Sequence, residues 1–284
     1  MIRRVSTLPT ARATARVVAL VESSRFADLQ ICRSRRGTIS PTLLSSSAAL
    51  LLCCSAALAQ ATFPTLASDS ARTATTSLPF PSLTSPSWTC SKDENNRTIT
   101  FVARAGVAVG LHFVYTTGSV NEPGGTVWKL FAISRRTGTI AWSIPIDAPE
   151  LESIATPTID ERGASVIASG GSSLYCVSLY TTMLHWSTQL DNPIVNASPV
   201  IARTWRGAGR LFITDYDGFG DAASLYSISI DPSSASNPHQ PGDILWAAPI
   251  GASSGNSPAY DANTDRVFVA AVGLYASNPG KIFA

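Results

Sequence analysis

Leu130-Phe131-Ala132-Ile133-Ser134-Arg135-Arg136-Thr137-Gly138-Thr139-Ile140-Ala141-Trp142 sets a pattern to which the chain returns twice in full and once in part. In register, each column has one physical character, as a true internal repeat requires. Leu130, Leu174, Leu225 and Ile282 are aliphatic, and Phe131, Tyr175, Tyr226 and Phe283 are aromatic. Ala132, Cys176, Ser227 and Ala284 are small, Ile133, Val177 and Ile228 aliphatic, and Ser134, Ser178 and Ser229 polar. That order describes a strand packed on both faces, and its aromatic and β-branched content favours strand over helix. Trp142 and Trp186 each stand 12 residues after the aliphatic position, whereas Trp246 stands 21 after Leu225. The excess falls in a polar, Pro-rich insert from Pro232 to Asp243, expected in a surface turn.

A second mark precedes each unit: Thr156-Pro157, Ser198-Pro199 and Ser257-Pro258. Proline opening a strand costs no ladder donor. A short apolar run follows in each copy, Val166-Ile167-Ala168, Leu211-Phe212-Ile213 and Val267-Phe268-Val269. Each unit thus holds about four strands in roughly 40 to 60 residues, the dimensions of a propeller blade. The expected fold is all-β, a partial β-propeller of four-stranded antiparallel blades with about three blades complete and part of a fourth. The first blade is expected near Thr98 to Ala103, Val107 to Tyr115, Thr126 to Ile133 and Thr139 to Ile144. The second spans about 155–190 and the third about 197–250, and the fourth starts near Ser257. The small column gives each indole a shallow neighbour to lie against.

Ala132-x-Ser134-x-x-Thr137-Gly138-x-x-x-Trp142 resembles the tryptophan-docking motif of the pyrroloquinoline-quinone-type (quinoprotein-like) β-propeller repeat, Ala-x-Asp-x-x-x-Gly-x-x-x-Trp. The motif positions are Ala132, Gly138 and Trp142, then Cys176 and Trp186, then Ser227, Gly242 and Trp246. Serine stands for the aspartate in all three copies, and Thr182 for the glycine in the second. The resemblance covers about residues 98–284 and implies a piece of a seven- or eight-bladed ring. Closure by association of copies is the alternative.

The 284 residues, 45% of them hydrophobic and 14% charged, suffice for a sizeable core. Eight arginines against Glu22 and Asp28 give residues 1–36 a charge of +6, leaving −4 on the rest of a chain whose formal total is +2. Nothing downstream therefore reads as a nucleic-acid surface. The arginine-rich start, the apolar run from Leu43 to Leu58 and Ala57-Leu58-Ala59 read as a targeting presequence over 1–59, cleaved before Gln60. That implies a secreted, periplasmic or cell-surface protein, with membrane association only through an uncleaved N-terminal segment. Residues 60–97 are expected to be a Ser/Thr/Pro-rich linker, and 98–284 the repeats. Asn96-Arg97-Thr98 and Asn196-Ala197-Ser198 match the glycosylation acceptor pattern, relevant only on a eukaryotic secretory route.

Asp215, Asp217 and Asp221, spaced around Gly218 and Gly220, could converge on Ca²⁺, although Phe219 stands where an oxygen ligand is wanted. The competing reading is an Asp-Gly turn between strands. Gly251-Ala252-Ser253-Ser254-Gly255 has the spacing of a nucleophile elbow but lacks a following histidine. Cys53-Cys54 lies in the targeting run, and Cys176, in the small column, reads as core. A Cys90–Cys176 bridge is allowed in an oxidising compartment. His112, His185 and His239 show no metal spacing, and Trp88, Trp128 and Trp205 follow no repeat. No catalytic or cofactor-binding set emerges, so the expectation is a non-catalytic module that binds or scaffolds a protein or glycan. The resemblance leaves two alternatives: a piece of a dehydrogenase using pyrroloquinoline quinone and Ca²⁺ on an alcohol or sugar, or a carbohydrate-binding adhesion propeller.

Overall fold

The computed structural model describes residues 65–66, 69, 71, 85–101, 106–149, 155–203, 208–218, 220, 222–251, 255–271 and 280–284. The chain divides into Met1–Ala59 and Gln60–Ala284, and every described residue belongs to the second unit. No helix occurs among the described residues. The architecture is all-β: successive antiparallel sheets, each built from consecutive strands of the chain, a partial β-propeller.

Blade 1 comprises β1 (Ile99–Phe101), β2 (Ala108–Val109), β3 (Phe113–Glu122), β4 (Gly125–Ser134) and β5 (Ile140–Pro145). β1 and β2 pair with the same strand, β3, at Gly118–Val120 and Val114–Tyr115, so together they form one interrupted innermost strand. The run Val107 to Tyr115, expected as one strand, is folded in two. Gly110 N–H donates to the Phe113 carbonyl at 2.9 Å and turns β2 back into β3.

Blade 2 holds β6 (Thr158–Asp160), β7 (Ser165–Gly170), β8 (Ser173–Ser178) and β9 (Leu184–Gln189). Blade 3 holds β10 (Val200–Ala202), β11 (Arg210–Thr214), β12 (Ala223–Ser229) and β13 (Ile244–Gly251). Blade 4 shows three strands among the described residues, β14 (Ala259–Asp261), β15 (Arg266–Ala271) and β16 (Lys281–Phe283).

The repeat columns become cross-strand pairs. Ala132 faces Trp142, Cys176 faces Trp186 and Ser227 faces Trp246, each with a register shift just beyond the small residue. Alternation along β4, β8 and β12 sends the aliphatic and small columns to the forward face of a blade and the aromatic column to its rear face. Forward Leu130, Ala132, Trp142 and Ile144 pack on rear Ile159, Val166, Ala168 and Val177 of blade 2. Ile167, Leu174 and Cys176 pack likewise on Leu211, Ile213, Tyr226 and Ile228 of blade 3, and Val200, Phe212 and Leu225 on Tyr260 and Val269 of blade 4. The core is therefore a series of inter-blade seams.

The Ser/Thr-Pro marks tie the inner edges of these seams. Thr156 N–H donates to Ser198 Oγ at 2.8 Å, and Ser198 N–H donates to Ser257 Oγ at 2.9 Å. Thr158 Oγ1 donates to the Pro199 carbonyl at 2.6 Å, and the buried Thr65 lies 3.0 Å from Thr158 Oγ1. The Ser198, Ser257 and Thr158 hydroxyls thus each satisfy a backbone group near a proline-broken ladder.

Candidate functional site

The turns joining the third and fourth strands of blades 1 and 3 close with the same backbone clasp. Gly138 N–H donates to the Ser134 carbonyl and Gly242 N–H to that of Ser229, both at 2.8 Å. Ser134 N–H reaches the Thr139 carbonyl and Ser229 N–H that of Asp243, both at 2.9 Å. In blade 2, Ser178 N–H reaches the Met183 carbonyl at 2.9 Å. Serine substitutes for aspartate in part: Ser134 Oγ accepts from Thr137 N–H and Ser178 Oγ from Tyr180 N–H, both at 3.3 Å, whereas Ser229 Oγ is buried without a partner among the described residues.

Gly242 brings the blade 3 turn onto the outer strand of blade 2. Its φ is +95°, and a Cβ added there would stand 3.2 Å from Thr188 Oγ1 and 3.3 Å from Trp186 Cβ. Thr188 Oγ1 donates to the Gly242 carbonyl at 2.6 Å. Trp186, half-buried, joins the seam cluster below.

Arg203, just after β10, clamps the same seam. Its Nε and Nη2 donate to the two oxygens of Asp160 in blade 2, at 3.0 and 2.5 Å, and Nη1 pairs with Asp231 Oδ1. Asp231 Oδ2 also accepts Gly209 N–H at 2.6 Å. Burial works against the Arg203 cation, but its two carboxylates outweigh that and hold it charged above its usual range. At Asp231 burial favours the acid, and Gly209 N–H with Arg203 overcomes it, keeping the carboxyl below its usual range.

Beside the clamp a recess of about 760 Å³ opens between blades 2 and 3. Trp186 and Arg203 form its walls, exposed Arg162 and His185 its blade 2 rim, and the insert brings Ser234 and Asn237 from the far side. The insert is ordered by its own bonds: Ser234 N–H to the Asn237 carbonyl at 2.7 Å, and Asn237 Nδ2 to the Asp231 and Pro232 carbonyls at 3.3 Å. Trp186, His185, Arg203, Ser234 and Asn237 thus line one recess.

The aspartate cluster lies apart, on the turn between β11 and β12. Asp215 is fully buried and its oxygens are occupied: Oδ1 accepts Ser224 N–H at 2.7 Å, and Oδ2 accepts Tyr226 Oη–H at 2.8 Å and Asn192 Nδ2–H at 3.0 Å. Asp217 Oδ2 accepts Ala222 N–H at 2.5 Å, while its Oδ1 is buried without a partner among the described residues. Asp221 lies outside the described residues, and among those described no group of three acidic, His or Cys side chains is placed to hold a metal. Gly218, at φ +73°, carries the turn.

Cys90 and Cys176 are free thiols packed in different clusters, so the bridge between them does not form. Burial pushes the Cys176 thiol up to about 12. Cys53-Cys54 and residues 252–254 of the elbow-like stretch lie outside the described residues. Sequence reasoning missed Arg203, Asp160 and Asp231, whose separation carries no motif. It also missed Trp88, which packs on blade 1 and donates from Nε1 to the Arg135 carbonyl at 2.8 Å.

No protein-family model matches the chain, and no curated protein matches it. Among solved structures, it is similar to the quinohemoprotein alcohol dehydrogenase ADHIIG from Pseudomonas putida HK5, with 12% identity, a TM-score of 0.42, and 59% of this chain and 28% of that one covered. It is also similar to BamB from Moraxella catarrhalis, with 11% identity, a TM-score of 0.37, and 62% of this chain and 60% of that one covered. The chain spans less than two thirds of either protein.

Proposed function

We propose that this chain is a non-catalytic, quinoprotein-like β-propeller module, secreted or periplasmic, that binds a glycan-like ligand in the recess between blades 2 and 3. The recess itself carries the reading. Its volume of about 760 Å³ falls inside the roughly 300–1,000 Å³ of small-ligand sites. An indole beside hydroxyl, amide and guanidinium groups suits a ligand with apolar ring faces and hydroxylated edges. Arg203 with its two carboxylates, Asp160 and Asp231, carries one net negative charge that Arg162 on the rim offsets, which favours neutral sugars. The arginine-rich start, apolar run and small-residue site before Gln60 support export.

The test is a glycan panel read against the full chain, followed by titration of each hit with tryptophan fluorescence. Saturable binding that Trp186→Ala abolishes, with the circular dichroism of the sheets intact, is the expected result. Reconstitution with pyrroloquinoline quinone and Ca²⁺ runs in parallel, and a cofactor absorbance band with dye-linked turnover overturns the reading.

A further inference from the structure

Two asparagines carry the acceptor pattern for an asparagine-linked glycan, and the fold treats them in opposite ways. Asn96 and Asn196 share the pattern and the backbone: a hydroxyl residue, Thr98 or Ser198, stands two places on, and their φ values are +62° and +63°. Asparagine enters that left-handed conformation readily, so local geometry does not separate them. Burial does.

Asn196 lies in the rung that ties blades 2, 3 and 4. It is half-buried between the buried Val195 and Ala197, and a Cβ added at Gly255, on the chain entering blade 4, would stand 4.0 Å from its Nδ2. Its hydroxyl residue, Ser198, is 1% exposed, and Ser198 Oγ accepts Thr156 N–H at 2.8 Å. The carbonyl of the next residue, Pro199, accepts Thr158 Oγ1–H at 2.6 Å. A sugar on Asn196 would have to part these blades.

Asn96 tops an exposed turn beside blade 1. The buried Asp93 orders this turn from beneath: Oδ1 accepts Asn95 N–H at 3.0 Å and Arg97 N–H at 2.7 Å, and Oδ2 pairs with the Arg97 guanidinium at 2.7 Å. Asn96 adds its backbone N–H, which donates to the Asp93 carbonyl at 3.0 Å, and none of these bonds uses its side chain. Thr98 is exposed as well, and its Oγ1 accepts from Lys92 Nζ at 2.7 Å. The acceptor amide and its hydroxyl are therefore both on the surface, on a turn that closes without either.

We propose that Asn96 is the acceptor of an N-linked glycan and that Asn196 is not. The inference rests on the export proposed above, along a route that carries this transfer. Asn96 Nδ2 forms a bond to the anomeric carbon of an oligosaccharide carried on a polyprenyl pyrophosphate. The bond from that carbon to the pyrophosphate oxygen breaks, its electron pair leaves with the lipid pyrophosphate, and Nδ2 gives up one proton to that leaving group. The glycan stands clear of the recess. Arg97 pairs with Glu122 at 3.0 Å, which places the Asn96 turn at the β3–β4 end of blade 1, whereas the recess lies at the level of the Gly138 and Gly242 turns. The 10 residues of β4 separate those levels, about 30 Å at the usual rise of a strand.

The full chain is produced in yeast, and its peptides are treated with peptide N-glycosidase in heavy-oxygen water, which turns each formerly glycosylated asparagine into a labelled aspartate. The expected result is a secreted chain labelled at 96 and unlabelled at 196. Asn96→Asp and Thr98→Ala abolish the label, Thr98→Ser keeps it, and Asn196→Asp changes nothing. In a second arm, folded full chain made in bacteria is given to a single-subunit oligosaccharyltransferase with a polyprenyl pyrophosphate-linked oligosaccharide, so that acceptor quality is read apart from export. Transfer to Asn96 there supports the proposal even where yeast retains the chain unmodified, an outcome that counts against export alone. A secreted chain bare at Asn96, a label at 196, or no transfer to Asn96 in the isolated reaction overturns the proposal.

Discussion

Gly138→Ala and Gly218→Ala form a matched pair that isolates what an indole does at a blade turn. The two glycines have φ of +72° and +73°. The backbone strain that a side chain adds is therefore equal, about 1–2 kcal/mol in this region. What the new methyl group meets is not equal. At Gly218 nothing among the described residues lies within 4 Å, whereas at Gly138 the Cβ would stand 2.7 Å from the Trp88 ring. The ring must move, which loses the bond from Nε1 to the Arg135 carbonyl, about 1 kcal/mol net. Forcing extra volume into a packed contact adds about 1–3 kcal/mol. Gly218→Ala should thus cost about 1–2 kcal/mol and Gly138→Ala about 3–6 kcal/mol. Gly242→Ala, whose nearest contacts are 3.2 to 3.4 Å, should fall between them. Urea midpoints followed by tryptophan fluorescence and by far-ultraviolet circular dichroism give the order. Equal losses at 138 and 218 would refute the docking of Trp88 on the Gly138 turn.

Arg203→Ala should destabilise by about 3 kcal/mol, because it leaves the buried Asp160 carboxylate without its cation. The same clamp sets an acid limit: Asp231 is held below its ordinary value of 3.8, so its contribution is complete above that pH and is lost as pH falls through the lower, folded value. Acid unfolding curves should therefore separate parent and Arg203→Ala at neutral pH and draw together as pH falls through the lowered, folded value of Asp231. Asp215→Asn should cost about 1–3 kcal/mol by turning an acceptor toward donors, and by the same amount with and without millimolar Ca²⁺. A loss that appears only with Ca²⁺ would assign the carboxylate to a cation instead. Cys176, buried and with its thiol pushed up to about 12, should react with a thiol reagent only at the rate of unfolding, after the half-buried Cys90. Thiol counting by mass spectrometry over time checks the order.

The blades were legible because a periodic constraint writes itself into the sequence several times. Every seam needs an aliphatic, a small and an indole position at fixed register, and the pairs Ala132–Trp142, Cys176–Trp186 and Ser227–Trp246 are that requirement seen in three dimensions. The Ser/Thr-Pro marks were visible for the same reason, although their role as rungs between blades was not, since a hydrogen bond from Thr156 to Ser198 joins residues with no local signature. The turn between β2 and β3 escaped because an apolar run from Val107 to Tyr115 reads as one strand, and only the Gly110 turn divides it. The clamp escaped more completely. Arg203, Asp160 and Asp231 are brought together by blade stacking alone, and a single occurrence leaves no column to compare.

That contrast between repeated and unrepeated features explains where new chemistry can enter this fold. The clasp of the blade 3 turn is the clasp of blade 1, with matching bonds of 2.8 and 2.9 Å, even though the insert lies inside it. The strands on either side cannot sense the length of what lies between Ser229 and Gly242, because those two residues already fix their separation and direction. A segment inserted there is carried to the seam without altering the register of Ser227 with Trp246, and it lands beside the indole of the preceding blade. The recess follows from that geometry: the repeat supplies Trp186 at a fixed place, and the unrepeated insert supplies Ser234 and Asn237 opposite it. Removing the insert and rejoining Asp231 to Gly242 with a turn as short as that of blade 1 should therefore leave the sheets folded and erase the recess, so that glycan binding is lost while the stability read from urea unfolding falls by no more than the loss of the two Asn237 bonds, about 2 kcal/mol. Collapse of the blade on deletion would mean that the insert holds the strands apart, and the separation of scaffold from site argued here would be wrong.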